Sequence, residues 1–286
     1  MTMTDHQYPR ADLHIHSVHS DGTYSVEKIV ERAREENLQA ISITDHDSVQ
    51  GIDQAFSLTS DTDIRVITGI EFSSTHNEFN MHLLGYFIDH QNQDLLDYLD
   101  LCRQRRLTRT EIMVDKLQQS GISVTVDQVM DIAQGGILGR PHVAAAVMEV
   151  SSYTEMHAVF KDLLVKGKPA YVPKPTFDAG QIIDLIHSCG GVCSLAHPRT
   201  VGDDTIIPRL SNLGLDAIEV VHSSHSLHQM EKYSAYADQY NLVISGGSDC
   251  HGERLGREII GKYTISIEQV ERLESRAEKK RQSKTY

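Results

Sequence analysis

Asp12-Leu-His-Ile-His16 is a short run in which polar and apolar residues alternate. The two-residue period of a β-strand places Asp12, His14 and His16 on one face. Leu13 and Ile15 then point the other way, into apolar packing. Two imidazoles on adjacent positions of one face can bind one metal ion, with Asp12 supporting them. The alternative is a pair of surface histidines on a half-exposed strand, so this run needs support from the rest of the chain.

The segments on either side of this run alternate between strand and helix patterns. Ser25 is placed to cap a helix that continues to about Asn37, and the apolar run Ala40–Thr44 follows as a second strand. Further strands are predicted at 64–68, 80–87, 192–196, 217–221 and 242–245. Strands that alternate with helices are typical of a parallel sheet or barrel, so we expect an α/β fold.

Residues 93–166 interrupt this alternation with helical patterns alone. Helices are predicted at 95–119, 126–133 and 142–150, with Gly121 ending the first. We therefore expect a main domain over 8–92 and 167–286, with an all-helical insertion at 93–166. The segment 267–286 is predicted as a charged, solvated helix rather than a nucleic-acid-binding tail.

Composition restricts the possible partners and compartments. The chain has 286 residues and a net charge of −13, whereas proteins that hold long duplex nucleic acid usually present a basic surface. The start lacks the regions of a secretory signal, and no apolar run approaches a membrane span. Four scattered cysteines do not form a disulfide framework. We expect a cytoplasmic protein that binds neither membrane nor long duplex nucleic acid.

Histidines and carboxylates recur at, beside or within the predicted strands. They are Asp21 after the first strand, then His46, Glu71, His82, His197, and Asp249 with His251. In barrels of parallel strands, active sites form at the carboxyl ends of several strands. Turn chemistry explains an isolated Asp-Gly pair, but not histidines in Thr-Asp-His, Ala-His-Pro and Asp-Cys-His together. We expect these side chains to share one site with His14 and His16.

This candidate ligand set contains imidazoles and carboxylates but no thiolate. It favours zinc, iron or manganese over calcium sites built from oxygen ligands alone and over sulfur-rich structural zinc sites. Two or three ions are expected, bridged by a carboxylate such as Glu71 or Asp249. Closely spaced ions are suited to phosphoryl hydrolysis, so a metal-dependent phosphoesterase is the predicted class of enzyme.

These motifs resemble the polymerase-and-histidinol-phosphatase (PHP) family of phosphoesterases in order and spacing over nearly the whole chain. The similarity is strongest to the branch of nucleoside 3',5'-bisphosphate phosphatases that also act as 5'-to-3' exoribonucleases on short RNA. Gly139-Arg-Pro-His142 and Gly167-Lys-Pro-Ala-Tyr-Val-Pro173 resemble that branch too. The resemblance implies a distorted (β/α)7 barrel with a small all-helical insertion domain. It also implies that a nucleoside bisphosphate or the 5' end of a short RNA is the substrate.

The resemblance further implies a trinuclear metal site. The first ion would be held by His14, His16, Glu71 and Asp249, the second by Glu71, His82 and His197, and the third by Asp21, His46 and His251. Manganese would be the activating ion, with iron or zinc as the alternatives. Arg140 and Arg199 would contact the substrate phosphate, although Arg199 follows His197-Pro198 directly where relatives often carry Pro-Gly-Arg. His225 is a possible contact of the phosphate or leaving group, and an exposed helical face shared with His222 and His228 is the alternative.

Three other functions stay open on sequence grounds. A histidinol-phosphate-type or other small-molecule phosphatase would use the same ligands, and an amidohydrolase also begins with His-x-His on a barrel strand. The non-enzyme alternative is a metal-binding interaction module with a degenerate site, but no ligand is missing from the set. The arginines at 103–106 and Arg109 either line an RNA path or form a solvated helix face, and the solvated face is the preferred interpretation.

Overall fold

The first strand–helix–strand unit forms where the sequence predicts it, in a computed structural model that describes residues 9–255 and 258–283. Strand β1 spans Arg10–Ile15, helix α1 spans Val26–Glu35 and strand β2 spans Ala40–Ile43. The Ser25 side chain accepts a hydrogen bond from the Lys28 backbone N–H at 3.3 Å, so it caps α1 as predicted. The predicted domain limits at residues 8 and 286 lie outside the described residues.

The remaining elements continue the mixed α/β pattern. The strands are β3 (Arg65–Val66), β4 (Gly69–His76), β5 (Phe79–Tyr86), β6 (Phe177–Asp178), β7 (Val192–Leu195), β8 (Ala217–His222), β9 (Val243–Gly247) and β10 (Ile265–Ser266). The helices are α2 (Ile52–Thr59), α3 (Gln93–Gln119), α4 (Val126–Ala133), α5 (Arg140–Val150), α6 (Met156–Val159), α7 (Ala179–Ser188), α8 (Ile206–Asn212), α9 (Leu227–Tyr240) and α10 (Ile267–Ser283).

The strands form two sheets that are connected by two isolated bridges. One sheet has the order β10-β1-β2-β3 and the other has the order β6-β4-β5-β7-β8-β9. Parallel bridges between Ile15 and Cys250 and between His46 and Glu71 connect them. The mixed α/β class is therefore confirmed. The sheets contain antiparallel pairs, β4 with β5 and β5 with β7, as well as parallel ones, and closure into a (β/α)7 barrel stays a prediction.

One strand boundary was predicted wrongly. The sequence pattern predicted a strand at 64–68 that ends near Glu71, whereas β3 has two residues and Glu71 is the third residue of the separate strand β4. Strand β4 begins at Gly69, where a Cβ atom would lie 2.1 Å from the Ser42 hydroxyl oxygen. Glycine is needed there because β4 approaches β2 closely, and a Thr-Gly pair reads in the sequence as the end of a strand.

The helical stretch at 93–166 is confirmed as helical, with α3, α4 and α5 close to their predicted limits. These helices share a hydrophobic cluster that includes Met113, Leu117, Val143 and Val147, all buried. The cluster also takes in Ala170, four residues beyond the predicted boundary. The division of the chain into two domains stays a prediction.

Helix α10 is more than a solvated tail. Val270, Leu273 and Ala277 are buried in a hydrophobic cluster with residues of both sheets, because they follow the three-to-four-residue period of one helix face. The Lys280 ammonium also lies 2.9 Å from Asp216 Oδ1. No helix among the described residues combines the length and the apolar character that a bilayer crossing requires.

Candidate metal centre

The two histidines of the opening run point at the same two carboxylates. His16 Nε2 lies 3.1 Å from Asp249 Oδ1 and 3.2 Å from Glu71 Oε2. The corresponding distances from His14 Nε2 are 3.3 Å and 3.5 Å. Both imidazoles are fully buried. The strand period therefore does bring His14 and His16 to one face, and that face is the interior rather than the surface.

Glu71 is the centre of the cluster because both of its oxygens face imidazoles. Its Oε1 atom lies 2.9 Å from His82 Nδ1 and 3.0 Å from His197 Nε2. Its Oε2 atom lies 2.9 Å from His46 Nδ1. A carboxylate whose two oxygens serve different groups of imidazoles has the arrangement that a bridging ligand needs.

Asp21 defines a third group at the loop after β1. Asp21 Oδ1 lies 3.2 Å from His251 Nε2 and 3.9 Å from His16 Nδ1. Ligand atoms of His16, Asp21, His46 and His251 all lie within 4.8 Å of one another. The sequence expectation grouped Asp21 with His46 and His251, and the structure adds His16 to them.

All the candidate ligands named from the sequence converge on one region, which we call the metal centre. They are His14, His16, Asp21, His46, Glu71, His82, His197, Asp249 and His251. Their side chains fall into overlapping groups suited to metal binding: His14, His16, Glu71 and Asp249; His16, Asp21, His46 and His251; His46, Glu71 and His82. His197 joins the last group through Glu71 Oε1. Their roles as ligands stay predictions.

Polar atoms without hydrogen bonds support the fit of this centre to metal ions. His14 Nε2, His16 Nε2, His46 Nδ1, His82 Nδ1 and Glu71 Oε2 are buried and have no hydrogen-bond partner. Buried polar atoms are rarely left in this state. Ligand atoms at right angles around an octahedral ion, each about 2.1 Å from it, lie about 3 Å apart, which matches the separations found here. The donor set therefore fits divalent cations.

The imidazoles and carboxylates of the centre shift each other's pKa values in opposite directions. Burial raises the pKa of Glu71, but the charges of His46, His82 and His14 outweigh it and hold the pKa well below 4.5. Burial lowers the pKa of His16, but the close approach of the Asp249 and Glu71 carboxylates outweighs it and raises the pKa to about 10. Without a bound cation, a proton on His16 provides the positive charge that the carboxylates require.

Backbone geometry holds two of these residues in unusual conformations. Asp249 has φ +54° and His197 has φ +28°, both in the left-handed region that residues other than glycine seldom adopt. Gly247 lies two residues before Asp249, and a Cβ atom on Gly247 would lie 2.3 Å from the His14 backbone nitrogen. The glycine lets β9 approach β1 closely enough to place Asp249 beside His14. Strain of this kind is concentrated at functional sites.

Two residues of β8 extend the centre and were not predicted from sequence. Glu219 is fully buried, and its Oε1 atom lies 2.9 Å from His14 Nδ1 while its Oε2 atom accepts the His197 backbone N–H at 2.7 Å. His222 Nε2 lies 3.2 Å from Asp249 Oδ2. The only sign of Glu219 in the sequence was a single carboxylate inside the apolar run Ala217–Val221. The alternative of an exposed helical face is wrong for His222 and His225, because His222 ends β8 and both side chains are buried, whereas His228 is exposed on α9.

Asp12 supports the centre indirectly. It does not contact either imidazole ring; its carboxylate accepts the backbone N–H groups of Ser248 and Gly261, each at 2.9 Å. These bonds fix the loop that carries Asp249. Asp12 thus contacts backbone next to the candidate ligands, and its role as a support for the β1 histidines stays a prediction.

Two cavities lie against the metal centre on the side of the helical stretch. A cavity of 280 Å³ is lined by Asp21, His46 and His82, and another of 390 Å³ by His82 and His197. Arg140 lines both cavities, donates a hydrogen bond to the Leu164 carbonyl at 3.3 Å and lies over the Phe160 ring. Arg140 therefore faces the space where a substrate would approach these side chains.

The other two predicted substrate contacts lie elsewhere. The Arg199 guanidinium is exposed and donates to the Ser224 carbonyl, and Arg199 lines neither of these two cavities. His225 Nδ1 donates to the Val220 carbonyl at 2.8 Å, which leaves the buried Nε2 atom without a partner. The ring of His225 lies 5.3 Å from that of His222. The structure therefore brings His225 near the metal centre but leaves Arg199 at the surface.

The arginines of α3 do not form one solvated face. Arg103 is exposed and pairs with Asp100 at 2.7 Å, as expected for such a face. Arg106 and Arg109 are buried. Arg106 forms an ion pair with Asp47, and Arg109 donates hydrogen bonds to the Val172 carbonyl. The preferred sequence interpretation is therefore wrong for these two, because α3 turns them toward the two cavities rather than toward solvent.

Comparisons with known proteins agree with this fold and centre. The family model for the PHP domain matches residues 12–134. The chain is 31% identical to the 5'-3' exoribonuclease Rnm of Escherichia coli over 84% of each chain. It is 31% identical to the 3',5'-nucleoside bisphosphate phosphatase of Chromobacterium violaceum over 87% of this chain and 90% of that one. A solved structure from Bifidobacterium adolescentis, assigned as a metal-dependent phosphoesterase, superposes with a TM-score of 0.84 at 28% identity. It covers 92% of this chain and 94% of that one.

Fold and centre together define a mixed α/β protein whose histidine and carboxylate clusters are suited to metal binding. The chain belongs to the PHP domain family. The predicted family and the predicted enzyme class, a hydrolase of phosphate esters, are thereby confirmed.

Proposed function

We propose that this enzyme removes the 3'-phosphate of nucleoside 3',5'-bisphosphates and degrades short RNA from its 5' end. The observation that carries the proposal is the convergence of His14, His16, Glu71 and Asp249, whose ligand atoms lie within 4.8 Å of one another. The names of the two relatives support the choice of substrate, since one is a nucleoside bisphosphate phosphatase and the other a 5'-3' exoribonuclease. Both substrates carry a ribose between two phosphates.

The metal centre would hold three divalent ions in this proposal, manganese first, with iron or zinc as alternatives. Glu71 would serve two of the ions through its separate oxygens, with His14, His16 and Asp249 on one side and His82 and His197 on the other. Asp21, His46 and His251 would hold the third. When bound, the ions supply Lewis-acid chemistry that polarises phosphoryl oxygens and makes a water nucleophilic at neutral pH.

Side chains beside the metal centre would orient the substrate. Arg140 would bind phosphate oxygens, because its guanidinium faces both cavities and matches phosphate geometry with two parallel donors. His225 would contact the phosphate or the leaving ribose oxygen through its free Nε2 atom. Arg199 would reach the substrate after releasing the Ser224 carbonyl. These roles derive from the position of each group and from the resemblance to the family.

The test is phosphate release from a panel of substrates with manganese, iron or zinc added in turn. The panel contains adenosine 3',5'-bisphosphate, histidinol phosphate and a short 5'-phosphorylated RNA. We expect turnover of the bisphosphate and the RNA with manganese. Preference for histidinol phosphate would instead support a small-molecule phosphatase. Absence of turnover for every substrate and metal would contradict the proposal and favour a metal-binding interaction module.

A further inference from the structure

Asp45 is a buried carboxylate beside the metal centre that the proposed function does not use. It directly precedes His46 after β2 and is only 1% exposed. Its Oδ1 atom accepts the Ser17 backbone N–H at 2.7 Å and the Ser20 hydroxyl at 2.5 Å. Its Oδ2 atom accepts the Ser17 hydroxyl at 2.5 Å. Both oxygens therefore act as acceptors, and all three donors belong to the loop after β1, which carries Asp21.

Ser17 in turn fixes the backbone on both sides of Asp21. Its carbonyl accepts the backbone N–H groups of Ser20 at 3.1 Å and of Gly22 at 3.0 Å, which closes a tight turn around Asp21. Asp45 holds Ser17 through both its backbone N–H and its hydroxyl. Replacing the Asp45 carboxylate would therefore release the turn that presents Asp21 to the metal centre.

The backbone of Asp45 makes a separate connection to Glu71. The Asp45 carbonyl accepts the Glu71 backbone N–H at 3.2 Å, next to the parallel bridge between His46 and Glu71. A backbone bond of this kind does not depend on the side chain, so a substitution of Asp45 leaves it in place. What the Asp45 side chain adds is the link between the loop of Asp21 and the end of β2 that presents His46.

We propose that Asp45 is a positioning residue that holds Asp21 in place beside His46. These two side chains belong to the group of candidate ligands that His16 and His251 complete. The inference rests on the proposed function, in which this group holds one divalent ion. Ligand atoms around such an ion lie about 3 Å apart, and a carboxylate presented by a loop needs an anchor to reach that spacing. Asp45 lines neither cavity beside the metal centre, so it acts through these ligands rather than on the substrate.

Manganese binding in the absence of substrate tests the inference. We expect Asp45→Ala to weaken one of the metal sites by about 10- to 100-fold, the usual cost of removing a group that supports a ligand, and to leave the other sites within about twofold. Asp45→Asn should restore most of the affinity, because its amide oxygen can still accept the Ser17 N–H and the Ser20 hydroxyl. Equilibrium dialysis with metal analysis measures the stoichiometry, and competition with a chelator measures the affinities. The matched control is Asp61→Ala, an exposed aspartate after α2 that should behave as wild type.

A double-mutant cycle shows whether Asp45 acts through Asp21. Asp21→Ala removes the candidate ligand itself, so adding Asp45→Ala to it should lower the metal affinity no further. Additive losses in the double variant would overturn the proposal, because they would give Asp45 an effect that does not pass through Asp21. Thermal unfolding of each variant checks the fold. If Asp45→Ala does not fold, Ser20→Ala removes one of the three hydrogen bonds and should weaken the same site by a smaller factor, and full affinity in that variant would contradict the proposal.

These measurements need no turnover, so they separate the inference from the proposed function. Selective loss of one metal site in Asp45→Ala supports the positioning role even where none of the substrates is hydrolysed. Equal weakening of every metal site would overturn it, because a general loss indicates a structural role alone. Unchanged metal binding together with normal phosphate release in Asp45→Ala contradicts the positioning role and leaves the phosphatase function standing.

Discussion

Glu219 Oε1 lies 2.9 Å from His14 Nδ1, and both side chains are fully buried. With Glu219 ionised, the proton of the neutral imidazole stays on Nδ1, which leaves the Nε2 lone pair facing Glu71 and Asp249. The other oxygen of Glu219 accepts the His197 backbone N–H, so one carboxylate positions two candidate ligands. A carboxylate behind a metal-binding histidine fixes the tautomer and the ring orientation.

Glu219→Gln should weaken metal binding by about 10- to 100-fold, the usual cost of losing such a supporting carboxylate. The amide can still accept one hydrogen bond, so the protein should fold. Competition with a chelator measures the affinity directly. Glu231→Gln is the matched control, since Glu231 is exposed on α9. Equal metal affinity in the two variants would show that Glu219 has only a packing role.

Asp249→Asn should abolish turnover and reduce bound metal without unfolding the protein. The Oδ1 atom of Asp249 faces His14 and His16, and Oδ2 faces His222, so the amide would direct a donor into a group that needs acceptors. Metal analysis, phosphate release and circular dichroism together check this outcome. Asp238→Asn, on the exposed face of α9, should match the wild type. Undiminished activity in Asp249→Asn would contradict the proposed centre.

Metal binding at pH 7 should release protons. Asp249 and Glu71 raise the pKa of His16 to about 10 against the opposing effect of burial, so this imidazole carries a proton until a metal displaces it. We expect release of about one proton or more on manganese binding. Calorimetric titration in two buffers of equal pH and different ionisation enthalpy measures the number. Identical heats in both buffers would rule out the displacement.

Stability should depend on Asp216 in the acid range. Burial raises the pKa of Asp216, but hydrogen bonds from His187 and the Cys193 backbone and the nearby Lys280 outweigh it and place the pKa below 3.8. A carboxyl whose pKa is lower in the folded state stabilises the protein above the unfolded value, and this contribution is lost as the pH falls through the folded pKa.

Asp216→Asn should therefore reduce the free energy of unfolding by about 1–3 kcal/mol at pH 7. The difference from wild type should shrink as the pH falls from about 4 toward 3. Urea denaturation at several pH values provides the measurement. The control is Asp184→Asn, at an exposed position on α7. A difference that stays constant down to pH 3 would assign the effect to packing instead of charge.

Sequence identified the side chains that converge at the metal centre better than the residues around them, and the reason is physical. His14 and His16 stand out because an alternating strand rarely carries imidazoles, and Asp249 and His251 because they follow a Gly-Gly pair at a strand end. Glu219 does not stand out, since it is a single carboxylate in an apolar strand. Its role depends on a contact with His14, which is 205 positions away in the chain, and no local pattern specifies that contact.

The burial of two arginines of α3 is a second feature that local sequence patterns do not predict. Charged residues at helical spacing normally face solvent, so Arg106 and Arg109 were interpreted as surface residues. Their burial depends on the packing of α3 against the segment at 172–174 and against Asp47. Likewise β4 begins at Gly69, where the chain passes close to Ser42 of β2, and a Thr-Gly pair in the sequence does not reveal that tertiary contact.

The bridge between Ile15 and Cys250 has a consequence for how the protein matures. The backbone N–H of Asp249 donates to the His14 carbonyl at 2.8 Å, and Ser248, next to it in the chain, lies 234 positions from His14. During synthesis β1 can pair early with β2, but the segment that carries Asp249 can pair with β1 only after residues up to 250 have left the ribosome. Assembly of the full set of candidate ligands is then a late event of synthesis, and a nascent chain truncated before β9 would lack Asp249 and His251.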